Sequence, residues 1–152
     1  MIKLSLGFLP MLAGIFLIPL MFACTKSDIK YNRFGDRGIW NCILIEDYTG
    51  TVFSLPTLRV SNCKPEQNEY CEGTWDHDAG TSTAFKWHFG FSGSFFEMYP
   101  VNMDPTEINQ AWQQCYNLSG KYDVVKLTSR KFQIQSEETT GYPGKLIFLS
   151  FQ

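Results

Sequence analysis

The sequence is poor in the residues that enzyme active sites and nucleic-acid interfaces require. It has two histidines, and no G-x-S-x-G, H-E-x-x-H or glycine-rich phosphate-binding motif occurs in it. The formal net charge is −2, so the excess of lysine and arginine that a nucleic-acid-binding surface needs is missing. The composition therefore predicts a protein that is not an enzyme, uses no cofactor and has no nucleic-acid partner.

Charges are also scarce at the amino terminus. Lys3 is the only early charge, and the almost wholly apolar run from Leu4 to Ala23 stops at Cys24. This layout predicts a signal peptide over residues 1–23. Two alternatives stay open, an uncleaved anchor, since about 20 apolar residues can span a bilayer, and ordinary signal cleavage. All three place the remaining chain outside the cytoplasm.

The end of this run resembles a bacterial lipobox. The residues are Leu20-Met21-Phe22-Ala23-Cys24, and the resemblance implies that Cys24 is lipidated, with palmitate among its acyl chains, and becomes the first residue of the mature protein. Thr25 in the next position is similar to lipoproteins that are sent to the outer membrane. The resemblance thus implies a lipid anchor in the cell envelope, on the periplasmic or the surface face.

The mature chain divides into a polar segment and one domain. Residues 24–37 carry many charges and few core residues, so they predict a tether. Residues 38–152 predict a single folded domain. Without Lys3, 12 lysines and arginines remain against 15 aspartates and glutamates, so the exported part is mildly acidic.

Four cysteines follow Cys24, and an even number in an exported domain predicts two disulfides. Cys63 and Cys71 flank a short polar segment, which favours their pairing. Cys42 and Cys115 form the second pair by remainder. A zinc site is the weaker alternative, because no C-x-x-C pair or neighbouring histidine gives the ligand spacing.

The most distinctive segment is AFKWHFGFSGSFFEMY, from Ala84 to Tyr99. Four of its large aromatic residues recur at the strand period of two, whereas Lys86 and His88 fall on the opposite face. Ser92-Gly93-Ser94 is a turn signal between two strands. The segment predicts a β-hairpin with an aromatic stripe on one face, which consists of Phe85, Trp87, Phe89 and Phe91.

Strand patterns cover most of the remaining domain. One helix is predicted near Asp104, which would be its N-cap, with Pro105 as the first helical residue and Glu107 completing a capping box. Its apolar face would hold Ile108, Ala111, Trp112 and Cys115, although part of residues 104–115 also alternates like a strand. With this short helical insertion, the pattern predicts an all-β, antiparallel up-and-down barrel of about eight strands, since closure removes exposed edges.

Two pieces of the domain resemble the lipocalins. Gly38-Ile39-Trp40 resembles the G-x-W at the start of that family, and YDVVKLTSRKFQIQSEETTG with LIFLSF is similar to the closing strands of short lipocalin-like bacterial lipoproteins. The resemblance implies a barrel with Trp40 plugging its closed end. Lipocalins usually also bring an arginine from beyond the last strand onto this tryptophan, and no arginine follows Arg130 here.

Two functions agree with this barrel. In the first, Phe85, Trp87, Phe89 and Phe91, with Trp40, line a pocket for a small apolar ligand. An aromatic stripe at strand spacing is, however, more often core than cavity lining. In the second, the core is solid and the outer face, or the loop between the two close cysteines, binds another envelope protein.

The stretch Trp75-Asp76-His77-Asp78 holds the only other candidate for metal binding or proton transfer. It lies in a predicted loop with no matching cluster elsewhere, so a solvated loop is the better interpretation. No catalytic or metal-binding residue is therefore assigned.

Overall fold

The computed structural model describes residues 26–47, 54–63, 69–77, 80–90 and 93–152. Its elements are α1 (Lys26–Arg37), β1 (Ile39–Asp47), β2 (Thr57–Val60), β3 (Cys71–Asp76), β4 (Ser82–Phe89), β5 (Phe95–Pro100), α2 (Gln110–Asn117), β6 (Gly120–Leu127), β7 (Phe132–Thr139) and β8 (Tyr142–Phe151). The eight antiparallel strands pair in sequence order, and β8 pairs with β1 to close a barrel. The predicted all-β barrel is confirmed. The predicted signal peptide, Cys24 and Phe91 lie outside the described residues.

The two helices lie at opposite ends of the barrel. At one end, the Lys30 ammonium donates to the carbonyl of Gly93 in the β4–β5 turn, and Arg37 donates to Ser129 in the β6–β7 turn. At the other end, the α2 helix ends beside the β7–β8 turn, where Gly141 N donates to the Asn117 carbonyl over 2.8 Å. We call these the α1 end and the α2 end. Neither described helix is long and apolar enough to cross a membrane.

The interpretation of residues 24–37 as a tether is wrong from residue 26 onward. Tyr31 and Phe34, one helical turn apart on α1, are buried in the barrel core. Gly35 lies so close to the β2–β3 connection that an added Cβ would sit 2.6 Å from Asn62 Oδ1. Gly38, with a φ of 74°, then makes the turn from α1 into β1. The folded unit therefore begins at the helix and not at residue 38.

A β-bulge changes the face that β1 presents to the core. Trp40 and Cys42 point inward as the alternation predicts, but the register shifts between Cys42 and Leu44. Beyond the shift, Ile45 and Asp47 are the buried residues. The extra residue in the bulge reverses the alternation, so Leu44 does not share a face with Trp40.

The β4–β5 hairpin follows the prediction. Phe85, Trp87 and Phe89 face the interior, and Lys86 between them is exposed. The turn is closed by Gly90 N, which donates to the Phe95 carbonyl over 3.0 Å.

The inserted helix begins later than predicted. Asn109 is the N-cap, and its side chain accepts from Trp112 N over 2.9 Å. Asp104 instead organises a separate turn, in which its carboxylate accepts from Thr106 N over 2.9 Å. The Asn109 amide also donates to the Ser82 carbonyl over 3.1 Å, which ties this cap to the start of β4. Because Asn109 makes this tertiary contact, it caps the helix in place of the predicted Asp104.

The apolar face of α2 is correspondingly shorter than expected. Ala111 and Cys115 are fully buried at i and i+4, whereas Ile108 precedes the helix and is 44% exposed. Trp112 is half-buried and donates its indole N–H to the Val101 carbonyl over 3.0 Å.

One disulfide prediction is confirmed and the other is wrong. Cys63 and Cys71 are bonded. Cys42 and Cys115 are both free and buried. Cys42 lies in the half of β1 nearer the α1 end, whereas Cys115 is on α2 at the other end, which packs on β3, β4 and β5. Their placement at different ends of the barrel keeps the two thiols apart.

Candidate functional sites

The predicted ligand-binding rings fill the barrel interior toward the α1 end. Trp40, Phe85 and Trp87 have no exposed surface, and Phe89 is 3% exposed. Phe34 of α1 enters among them, and its ring centroid lies 4.8 to 5.7 Å from those of Trp40, Trp87, Phe89, Phe96 and Phe132. These spacings are those of packed aromatic pairs. In the described part of the chain, the aromatic stripe is core.

Trp40 lies at the α1 end of the barrel, where an arginine of α1 packs over its ring. The Arg37 guanidinium carbon is 4.8 Å from the centre of the Trp40 ring, and the Trp40 indole donates to the Phe34 carbonyl over 2.9 Å. Such a cation–π contact contributes about 0.5–1 kcal/mol at a partly exposed site. The helix that precedes the barrel thus supplies the cation, and it closes the α1 end.

Tyr31 completes the closure by bonding to a strand backbone. Its hydroxyl donates to the Phe89 carbonyl over 3.1 Å and accepts from Phe89 N over 2.8 Å. Burial raises the pKa of Tyr31, so the phenol stays neutral and can donate. α1 is therefore fixed to β4 by hydrogen bonds from the Tyr31 side chain to the strand backbone as well as by aromatic packing.

A cavity of about 370 Å³ lies at the α2 end, and we call it the α2-end cavity. None of the predicted ligand-binding residues lines it. Four carboxamide side chains do, and they occupy one face of α2 and its last turn at i, i+3, i+4 and i+7, namely Gln110, Gln113, Gln114 and Asn117. This spacing is visible in the sequence and could have marked the four residues as a polar face.

Residues from three distant segments complete the cavity. They are Ser54 before β2, His77 after β3 and Tyr142 at the start of β8, with Leu118 beside them. Burial, and secondarily the charge of Asp47, raise the pKa of Tyr142. Its phenol is therefore neutral at physiological pH and can present a hydroxyl as well as a ring.

Gln114 joins this cavity to the core below it. Its Oε1 accepts from the indole N–H of the buried Trp75 over 2.9 Å, and its Nε2 donates to the Ser54 carbonyl over 2.7 Å. The Ser54 hydroxyl is buried and has no hydrogen-bond partner among the described residues. A buried hydroxyl without a partner costs free energy unless a ligand or water satisfies it.

The stretch around Asp76 shows no metal-binding arrangement. Asp76 is bound to Arg59, with 2.5 Å between Oδ2 and Nε, and Asp78 lies outside the described residues. His77 N donates to the Thr81 carbonyl over 2.8 Å in a tight loop. Within the described segments, no three His, Cys, Asp or Glu side chains are grouped to hold a metal ion.

A second polar and aromatic cluster lies on the outside of the barrel, beside the disulfide. We call Tyr70, His88, Glu97 and Tyr99 the Tyr70 patch. The Tyr70 hydroxyl donates to Glu97 Oε2 over 2.9 Å, and the Tyr70 ring lies 4.5 Å from His88 and 6.3 Å from Tyr99. Tyr70 and Tyr99 are 40% and 38% exposed.

The electrostatics of this patch favour a neutral histidine. Burial lowers the pKa of His88, although the nearby Glu97 carboxylate opposes that shift. Burial and the hydrogen bond to Glu97 raise the pKa of Tyr70 to about 12. His88 lies on the outer face of the barrel, opposite the aromatic stripe as the alternation predicts, with its side chain 18% exposed.

No family model, no curated protein and no solved structure matches this chain. The lipocalin-like interpretation therefore stays a resemblance carried by a few residues and compatible with the closed barrel.

Proposed function

We propose that this chain is a non-catalytic binding protein held in the cell envelope by a lipid on Cys24, and that its small ligand binds in the α2-end cavity. The proposal keeps the ligand-binding function that the resemblance implies, but it places the ligand in the α2-end cavity and not among the aromatic rings of the barrel interior. The observation that carries it is the cavity itself, which opens at the end of the barrel that α1 leaves free.

The size and lining of the cavity indicate the class of ligand. A volume of about 370 Å³ lies at the lower end of the ~300–1,000 Å³ found for small-molecule sites. The Tyr142 ring, Leu118 and the glutamine methylene groups supply apolar contacts. The carboxamides and the unpartnered Ser54 hydroxyl supply hydrogen bonds. A ligand with one apolar face and one or two hydrogen-bonding groups fits this combination.

Native mass spectrometry tests the proposal. The Cys24→Ser chain without residues 1–23 is made in an oxidising compartment, purified without detergent, and incubated with palmitate, indole and small aromatic alcohols. We expect a stoichiometric adduct of at most a few hundred daltons, on the order of what the cavity holds.

Two substitutions locate the site of the adduct. Gln110→Trp should fill the α2-end cavity and abolish the adduct, whereas Asn102→Trp, at an exposed position outside it, should not. Trp87→Ala opens the packed interior instead. If Trp87→Ala leaves the barrel folded and removes the adduct while Gln110→Trp has no effect, the ligand lies inside the barrel and the proposed site is wrong.

The Tyr70 patch favours a second function, recognition of another envelope protein by a solid barrel. It joins two exposed tyrosines to a half-buried carboxylate next to the Cys63–Cys71 loop. Tyrosine is enriched where proteins bind one another, because its ring and hydroxyl serve both apolar and polar contacts.

A crosslinking experiment separates this function from ligand binding. A photoreactive amino acid replacing Tyr99 should crosslink one defined envelope protein, and the same group at Val125, an exposed position 52% accessible on β6, should not. Equal or absent crosslinking at the two positions contradicts recognition through the Tyr70 patch.

A further inference from the structure

Charge is distributed unevenly between the two ends of the barrel. At the α1 end, α1 and the β6–β7 turn together form what we call the basic face. From residue 28 onward it comprises six basic residues, Lys30, Arg33, Arg37, Lys126, Arg130 and Lys131, against two acidic ones, Asp28 and Asp36, while Glu69 and Glu72 lie near the β2–β3 connection at the same end. One of the acidic residues, Asp36, accepts from the Asn62 amide over 2.8 Å.

The α2 end has the opposite sign. Its strand ends, turns and the segment before α2 hold six acidic residues, Asp47, Asp76, Asp104, Glu107, Glu137 and Glu138, against Lys121, Lys145 and Arg59, which is bonded to Asp76. The described charges therefore leave the α1 end net positive and the α2 end net negative, in a chain whose net charge is −2.

The basic residues of α1 form one stripe. Lys30, Arg33 and Arg37 stand at i, i+3 and i+7, along the edge of the side of the helix that Tyr31 and Phe34 turn to the core. Arg37 donates to Ser129 O over 3.0 Å, so the stripe is continuous with the basic β6–β7 turn. Arg33 and Arg130 are exposed.

The basic face is also the part of the fold nearest to the proposed lipid. One residue, Thr25, separates Cys24 from the start of α1 at Lys26. Because a residue spans at most ~3.6 Å, the lipidated cysteine lies within roughly 7 Å of the helix. A flexible tether of 14 residues would have left the orientation of the barrel open, whereas this short link restricts it.

We propose that the basic face binds bilayer surfaces that carry anionic lipid headgroups, so that the barrel stands on its α1 end with the α2-end cavity directed away from the membrane. The inference rests on the lipid anchor of the proposed function. One acyl anchor and a basic surface together make a stable attachment, and each lysine or arginine near an anionic surface adds about fivefold to the binding constant. The acidic α2 end is repelled by the same headgroups.

Energy transfer from the protein to the membrane tests the orientation. The full chain is produced in a Gram-negative host and reconstituted in phosphatidylcholine vesicles. These vesicles contain roughly 30% of the anionic lipid phosphatidylglycerol and a lipid-linked acceptor dye. A donor dye is attached to Ser129→Cys at the α1 end or to Asn102→Cys at the α2 end. The chain without an added cysteine is the blank, since the thiols of Cys42 and Cys115 are buried.

We expect much stronger transfer from residue 129 than from residue 102. Strands of 8 residues separate the two positions by on the order of 25 Å along the barrel. The difference should shrink in pure phosphatidylcholine and in high salt, because screening weakens contacts with headgroups.

Substitutions assign the effect to the basic face. Replacing Arg33 and Arg130 together by glutamine should lower the ratio of docked to undocked protein roughly 25-fold. Lys145→Gln removes the same kind of charge at the α2 end and should not lower it.

Equal transfer from residues 129 and 102 on anionic vesicles overturns the orientation, whether or not the chain is anchored. Loss of the chain from the vesicles in a high-salt wash, after oriented binding at low salt, contradicts the lipid anchor and leaves the basic face as the membrane contact. The two failures are thereby distinguished.

Discussion

Replacing Phe34 with alanine removes the side chain through which α1 enters the barrel. Phe34 has no exposed surface, and its ring contacts five other buried rings. A helix that served only as a tether would tolerate this change at a cost below ~0.5 kcal/mol. A helix that is part of the core would not.

The magnitude follows from the burial. Removing all of the ring from a fully buried site loses about 3 kcal/mol of transfer free energy, and the cavity left among five rings adds to it. We therefore expect Phe34→Ala to lower the free energy of unfolding by about 3–5 kcal/mol. Since domains of this size are stable by only ~5–15 kcal/mol, this is a large share of the total.

Urea unfolding followed by tryptophan fluorescence measures the change, because Trp40 and Trp87 lie beside Phe34. Ile29→Ala, on the exposed side of the same helix at 41% exposure, is the matched control and should cost less than ~1 kcal/mol. If the two variants lose stability equally, to within ~0.5 kcal/mol, α1 is not part of the folding core and the reasoning is refuted.

Three further predictions follow from the covalent and polar contacts. Replacing both Cys63 and Cys71 by serine should lower stability by about 2–3 kcal/mol in urea unfolding, since the bond closes a short loop, and an unchanged midpoint would show that the bond is not formed. In a chain without a thiol at residue 24, Ellman's reagent at pH 8 should detect no thiol in the native state and two after denaturation. The reason is that Cys42 and Cys115 are buried, and burial raises the pKa of the Cys42 thiol to about 12. Fast reaction of the native protein would contradict their burial. Gln114→Leu should cost about 1–3 kcal/mol by leaving a buried indole N–H without an acceptor, and a neutral outcome in the same assay would argue against that hydrogen bond.

Sequence patterns predicted the structure correctly where the side-chain period of a single strand was enough to decide it. In β4, the alternation of Phe85, Trp87 and Phe89 predicts a shared face whatever the strand pairs with, because the side-chain period of a strand is two. The Cys63–Cys71 bond is equally local, since a short loop keeps the two thiols close in any fold. The eight strands of the barrel were predicted on the same basis.

Local rules failed where a distant partner chose between two acceptable conformations. In β1, the bulge is set by the register with β8, and no residue of β1 signals it. In the inserted helix, Asp104 and Asn109 are both good caps, and the contact with Ser82 favours the second.

The candidate site was the least predictable feature. Ser54, His77 and Tyr142 belong to three distant segments, and nothing in their spacing relates them. Only the polar face of α2 could have been recognised in advance, from Gln110 and Gln114 at helical spacing.

The sequence by itself determined the strand periodicity, the antiparallel class and the short disulfide loop, because each depends on residues that are neighbours along the chain. The tertiary structure decided that the mostly polar α1 is a structural helix, that the aromatic interior is filled, and that a cavity lies at the α2 end. Burial of Phe34 requires rings from four strands, and the cavity requires a helix, two connections and the start of β8 to converge. Such convergence is fixed by the packing and pairing of distant segments, which no local pattern encodes.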